Sequence, residues 1–318
     1  MRDKMLEVIH NNLSLQTSLE EVKNLIEQSK SDNTKKAYQT DWKHFEDWCL
    51  RNNVQSMPAK VETILLYLNE LSKQYKYSTI RRKLSSISQA HEIKGALNPT
   101  RHYYVLKLMQ GIAKQKGTKQ EAKKAIILDD IKKMIDVIDT TKLIGKRDKA
   151  LLLVGFALAS RRSELVAVDL EDITFTSQGM DIAIKQKKTN EVIMKSVVRI
   201  DSEYCPVRAL KDWIEAAGIK EGAIFRTIDR HGNIKDRTKD KTVARVVKKY
   251  AELAGLNPND YAGHSLRSGL ATSAAQEGMN DTSIMKQTGH KTRSMVDRYV
   301  QEGNRYKNNA SSILRNLG

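Results

Sequence analysis

Between residues 18 and 112, apolar residues recur every three or four positions in short runs separated by polar turns, the period of helices that bury one side. Ser18, with Glu20 and Glu21 in the first turn, opens a helix to about Ser29. Asn33 or Thr34 opens a stronger one, on which Tyr38, Trp42, Phe45 and Cys49 line up while Lys35, Lys36 and Lys43 lie off the stripe. Pro58 starts a third, with Val61, Leu65, Leu68 and Leu71 inward. Ser78 caps a fourth, in which Ile80, Leu84 and Ile87 face the core and Arg81, Arg82 and Lys83 face solvent. A fifth runs from about Thr100 to Ile112, and residues 1–12, without a period, are expected to fray.

The period is lost between Lys114 and Lys124, a polar, lysine-rich stretch that reads as a linker. The chain therefore divides into a helical domain over 1–113, a linker over 114–124 and a second domain over 125–318. The second domain opens with helices over 129–138 and 147–159. Its period then changes to two: Met180, Ile182 and Ile184 alternate, and 192–200 is rich in β-branched residues, predicting a small antiparallel sheet with lysines at the hairpin tip. Helices resume over 206–217, 243–254, 266–277 and 281–287, and another from near Thr292 carries Tyr299. Ile313, Leu314 and Leu317 in the tail have no evident place in their own core. The fold class is mainly α with a small antiparallel β-sheet.

Charge adds a partner to this picture. The 318 residues carry a net charge of +17, and residues 1–124 hold 22 Lys and Arg against 13 Asp and Glu while the remainder holds 33 against 25. With both halves basic, a long polyanion touching both is the natural ligand. A membrane surface fits poorly, since no basic helix with a wide apolar face, lipidation signal or long apolar run is present. Cys49 and Cys205 stand alone, outside any metal-ligand spacing, and read as buried residues in a reducing compartment. The N-terminus has no secretion signal, so a cytoplasmic protein is expected. No phosphate-binding Gly-rich loop occurs, and neither a cofactor nor a metal is implied.

The candidate chemistry lies late in the chain. His264 and Arg267, three apart, share a helix face and can address one anion. His290 and then Tyr299 follow, and Arg161 and Glu164 are also three apart. Guanidiniums grip phosphate with a fork of donors, and imidazoles donate to it or move a proton. Each of these residues alone is more simply a surface, cap or ion-pair residue, and Tyr299 is one of 11 tyrosines. Only their order makes a case.

In that order they resemble the tyrosine recombinase (phage integrase) family. Arg161-Arg162-Ser163-Glu164-Leu165 is similar to the family's Arg-x-Ser-Glu-Leu motif, and His264-Ser265-Leu266-Arg267 to its His-x-Leu-Arg box. Thr288-Gly289-His290 matches a Leu-Gly-His box with Thr for Leu, and Tyr299 stands nine residues on, where the family keeps its nucleophile. Thr34 to Tyr38 and Phe45-x-x-Trp48 resemble its N-terminal core-binding, SAM-like domain. Leu158 and Ser160 stand where Gly and Leu often precede the first arginine, a change expected to alter packing more than chemistry.

The resemblance implies a catalytic set of Arg161, Lys188, His264, Arg267, His290 and Tyr299. The hairpin offers Lys185, Lys187 and Lys188; Lys188 is chosen and Lys187 is second. Glu164 is expected to orient the His264 region and not to act as a base. Lys35, Lys36, Lys43, Arg81, Arg82 and Lys83 are expected to contact DNA, with the two domains closing on it as a C-shaped clamp. The implied partners are duplex DNA with an inverted-repeat recombination site and a homotetramer on two such sites at the nucleoid, with room for accessory DNA-bending proteins. A type IB topoisomerase or hairpin telomere resolvase shares much of the site, and a DNA-binding accessory protein with a dead site is the alternative from another class.

Overall fold

The computed structural model describes residues 17–18, 20–22, 24–25, 29–118, 122–186, 191–303, 311 and 313–314. The chain forms two compact units, Met1–Glu121 and Ala122–Gly318.

The first unit is helical. Its helices are α1 (Asp32–Arg51), α2 (Val61–Gln74), α3 (Tyr77–Ile93) and α4 (Tyr103–Lys116), with a 3₁₀ turn at Pro99–Arg101. Ser31 caps α1 by accepting from the Thr34 N–H. Phe45, Ile64, Tyr67, Leu68, Ile80, Ile87 and Val105 are fully buried and form one core. The inward face of α2 centres on Ile64, Tyr67, Leu68 and Leu71, while Val61 and Leu65 are only partly buried. Pro58 lies in the turn before α2 and does not start it. Of the helix expected over 18–29, residues 17–18, 20–22 and 24–25 are helical; its other positions up to 28, and residues 1–12, lie outside the described set.

The face of α3 departs from the expected one. Lys83 is 5% exposed, with its ammonium 3.4 Å from the buried Asp41 carboxylate on α1. Arg82 reaches the same carboxylate at 3.2 Å but keeps 44% of its side chain exposed. A buried carboxylate needs a cation beside it, and this one draws Lys83 off the solvent face. α4 also runs on through Lys114 and Lys116, residues assigned to the linker from the sequence.

The second unit is built on α6 (Leu143–Leu158), preceded by α5 (Leu128–Asp136). Ala150 to Phe156 and Leu158 are all buried, so the second half of α6 has no polar side and is covered by its neighbours. It begins four residues earlier than expected, because Gly145 lets the helix pass against the Asp139 carbonyl, where a Cβ would lie 1.9 Å from that oxygen. Helix α7 (Arg162–Leu165) is one turn long. The sheet follows as β1 (Ile173–Phe175), β2 (Gly179–Lys185) and β3 (Val192–Val198), antiparallel in that order, with Ile182 opposite Lys195 and Met180 opposite Val197.

After α8 (Pro206–Ala216) comes a two-stranded ribbon, β4 (Arg226–Ile228) and β5 (Ile234–Arg237), which the sequence did not announce. Its Arg237 donates to the Val166 carbonyl at 2.9 Å, bracing the turn after α7. Helices α9 (Asp240–Leu253), α10 (Ser265–Gln276), α11 (Asp281–Thr288) and α12 (Ser294–Gly303) complete the unit. α10 is lined with small residues, and at Gly269 the backbone of residue 126 passes so close that a Cβ would lie 1.9 Å from the Ile126 carbonyl oxygen. That segment is strapped down: the Lys124 N–H donates to the Asp260 carbonyl at 2.8 Å and the Ile126 N–H to Ser265 at 3.0 Å. The end of the expected linker is thus part of the second unit. No helix among the described residues is long and apolar enough to cross a membrane.

Candidate active site

Arg161 sits immediately before α7, after the turn that ends α6. Ala159 makes that turn with φ 47 and ψ 32, the left-handed conformation in which a helix commonly stops. The residue under strain is therefore Ala159. Glu164, 5% exposed, clasps Arg161 twice: it accepts from the Arg161 N–H at 2.9 Å and from its guanidinium at 2.5 Å. The ion pair weighed against a catalytic role for Arg161 does exist, yet 40% of the arginine side chain stays exposed, so one end is anchored and the rest is available. Glu164 was expected to orient the His264 region; its hydrogen bonds run to Arg161.

His264 immediately precedes α10, and Arg267 points from the first turn of that helix. Arg267 is 2% exposed and donates to the Ala159 carbonyl at 2.9 Å. His264 Nε2 lies 3.4 Å from the Tyr299 hydroxyl on α12, across two helices that pack together. Desolvation lowers the His264 pKa, and the guanidiniums of Arg267, Arg161, Arg162 and Arg298 add to it. The residue as a whole keeps an edge open to solvent, which moderates both effects. A neutral imidazole next to a phenol can take its proton.

His290 follows the left-handed Gly289 that ends α11. Its ring stacks on Tyr299 with centroids 5.9 Å apart. His290 Nδ1 is 2.8 Å from the Thr288 hydroxyl, which itself donates to the Ile284 carbonyl at 2.7 Å. A hydroxyl with its one proton committed must accept from the imidazole, so Nδ1 carries the ring proton and Nε2 is the free nitrogen. The Thr of this motif thus sets the tautomer of its histidine. Burial, then Arg267, Arg161, His264 and Lys195, push His290 down to about 4.

Lys188, and its rival Lys187, lie outside the described residues. Lys185 at the end of β2 pairs with Asp172 at 3.0 Å. In the first unit Lys36, Lys43 and Arg81 are exposed and Lys35 is half-buried, whereas Lys83 is removed from the expected surface by its pairing with Asp41. A residue not singled out from the sequence, Lys195, is 4% exposed and bonds to Leu158 and Ser160, just before Arg161. Its signal was a lysine at an inward position of an alternating strand.

Two guanidiniums, two imidazoles held neutral and a phenol within reach of one of them can neutralise an oxyanion and accept the phenol's proton. That is the equipment for moving a phosphoryl group onto tyrosine. The profile of the phage integrase family matches residues 124–305, and that of the phage integrase N-terminal SAM-like domain matches residues 22–94. An integrase/recombinase xerD homolog of Selenomonas ruminantium is 43% identical over 302 residues, 92% of this chain and 89% of that protein. XerH site-specific recombinase bound to a palindromic difH substrate, in a post-cleavage complex, aligns with a TM-score of 0.62 at 16% identity, covering 80% of this chain and 72% of that one. A lambda integrase dimer bound to a COC′ core site aligns with a TM-score of 0.61 at 16% identity, covering 92% and 98%. At that identity the structural matches establish the fold. The chain belongs to the phage integrase family, the tyrosine-type site-specific recombinases.

Proposed function

We propose that the chain cleaves and rejoins duplex DNA with Tyr299 as nucleophile. The observation that carries this is the Tyr299 hydroxyl at 3.4 Å from His264 Nε2, beside Arg161 and Arg267. In the forward step the phenol oxygen bonds to phosphorus as its proton passes to His264. Arg161 and Arg267 neutralise the non-bridging oxygens of the pentavalent state. The bond to the 5′-oxygen breaks, and by family resemblance Lys188 supplies the proton to that oxygen. The product is a 3′-phosphotyrosyl link with a free 5′-hydroxyl. Attack by a 5′-hydroxyl from a second duplex reverses the step, so the bond energy is conserved. His290, with Nδ1 committed to Thr288, faces the site with Nε2 and becomes a donor to phosphate once the bound anion favours its protonation.

Lys35, Lys36, Lys43, Arg81 and Arg82 supply a basic surface on the first unit for the phosphate backbone. Assembly as a tetramer on two sites would join a tail to a neighbour. A cavity of about 560 Å³ lined by Leu128, Leu153, Val198, Ile200, Met279 and Ile284 opens on the second unit, and Ile313 and Leu314 are 70% and 62% exposed. We assign the tail of a second copy to this groove. A chain cut after Lys307 is expected to bind a single site and to lose cooperative assembly on two; retention of cooperativity refutes the assignment.

A nicked suicide duplex taken from the DNA flanking the gene tests the chemistry without metal or ATP. Wild type should give an SDS-resistant adduct and Tyr299→Phe none. An adduct from both proteins moves the nucleophile elsewhere, Tyr306 first. Relaxation of supercoiled plasmid without exchange between sites would favour a topoisomerase.

A further inference from the structure

We propose that Lys195 is a positioning residue for the anion site, holding the backbone that leads into Arg161 through the Leu158 carbonyl and the Ser160 hydroxyl. The inference rests on reading Arg161 as a ligand of the scissile phosphate. Strand β3 alternates, and its more buried positions are Ile193, Lys195 and Val197. Lys195 stands opposite the fully buried Ile182, where an aliphatic side chain would suit the pattern. A cation in that row is held at a cost in solvation, so it needs partners that the row itself does not supply.

It finds them at the end of α6. The ammonium donates to the Leu158 carbonyl at 2.8 Å and to Ser160 Oγ at 3.2 Å. Leu158 is the last residue of the helix, where unpaired carbonyls concentrate partial negative charge. The next carbonyl, that of the left-handed Ala159, is taken by Arg267 at 2.9 Å. Two successive carbonyls are thus gripped by two cations, one from the sheet and one from α10. The residue after Ser160 is Arg161, whose far side is clasped by Glu164. The approach to the phosphate-binding guanidinium is therefore fixed at three consecutive residues, Leu158, Ala159 and Ser160.

Lys195 also faces the charges of the site. Burial, then Arg267, push its pKa down to about 8, with Glu164 opposing and Arg161 adding. Its own charge in turn depresses His290. Near neutral pH the ammonium is present; through about pH 8 it is lost, and with it the stronger of its holds on Leu158.

The test uses the full chain and a nicked suicide duplex. Tyr299→Phe is run beside every variant; if it forms adduct, the nucleophile reading fails whatever Lys195 does. For folded Lys195→Met, DNA affinity should stay within about threefold of wild type while single-turnover adduct formation slows roughly 10- to 100-fold. Wild type should show an alkaline decline in rate through about pH 8 that Lys195→Met lacks. Lys195→Gln, a donor without charge, should fall between the two, and it decides the matter if the Met variant does not fold. Adduct formation within about threefold of wild type in the folded variants, or a rate loss matched by an equal loss of DNA affinity, overturns the proposal.

Discussion

Lys195→Met should change stability by an amount that depends on pH, and the dependence isolates the lysine. Its pKa stands at about 8, against an ordinary 10.5. In the unfolded chain the side chain takes up its proton as pH falls through about 10.4, but in the folded chain only near 8. Below pH 8 both states hold the proton and the folded state bears the full cost. Between these values the cost fades, and above them it is gone. At about 1.4 kcal/mol per pH unit the gap amounts to roughly 3 kcal/mol. Wild type should therefore gain about 3 kcal/mol over Lys195→Met between pH 7 and pH 10.5. The Met variant also leaves the Leu158 carbonyl without a donor, worth about 1–3 kcal/mol, but the neutral amine can still donate, so that offset does not vary with pH. Trp213 is fully buried in the second unit, and the other two tryptophans, Trp42 and Trp48, are in the first. In a Trp42→Phe, Trp48→Phe background, urea unfolding followed by Trp213 emission reads the second unit alone. A stability difference that stays flat to within about 1 kcal/mol across this range would refute the reasoning.

Three further outcomes follow from the geometry. Arg81→Ala should lower the salt dependence of DNA binding by about one phosphate contact, whereas Lys83→Met should leave that slope unchanged and destabilise the first unit by roughly 1–3 kcal/mol, because Arg82 still partners Asp41; gel shifts across a salt series and urea melts separate the two. Thr288→Val removes the acceptor that holds the His290 Nδ1 proton; the ¹⁵N spectrum of the imidazole should show a mixture of tautomers and adduct formation should slow, while an unchanged spectrum would dismiss the tautomer argument. Gly269→Ala forces a Cβ against the Ile126 carbonyl oxygen and should destabilise the second unit by several kcal/mol, about 3 or more; thermal melting within 2 °C of wild type would contradict the close approach.

Much of this was legible in the sequence, for identifiable reasons. Helix periods gave α1 to α6 and α8 to α12 to within a few residues, because most of them have one apolar side that must be buried. The candidate residues of the site stood out through motif order, since spacing along the chain is visible even when proximity is not. What could not be read were the charges that turn inward. Lys83 and Lys195 are drawn into the protein by partners far along the chain, Asp41 and the end of α6, and local patterning places a lysine at the surface by default. The hydrogen bonds of Glu164 to Arg161 could not be read because an i, i+3 pair looks the same whether it points at its neighbour or past it. The ribbon of β4 and β5 is mostly exposed and polar, so it lacked the alternation that marks β2 and β3.

The strap over residues 124–126 bears on how this protein could be re-engineered. Ala122, Lys123 and Ala125 line a small cavity, about 180 Å³, together with His264, Arg298 and Tyr299. The second unit therefore begins several residues before its first helix, and its opening segment forms one wall of the pocket that holds Tyr299. A chimera that grafts a different DNA-reading domain onto this unit keeps that wall only if the junction falls before Ala122. Joined at Leu128, where a helix-based boundary would put the seam, the graft would bring foreign residues against the tyrosine it is meant to leave alone.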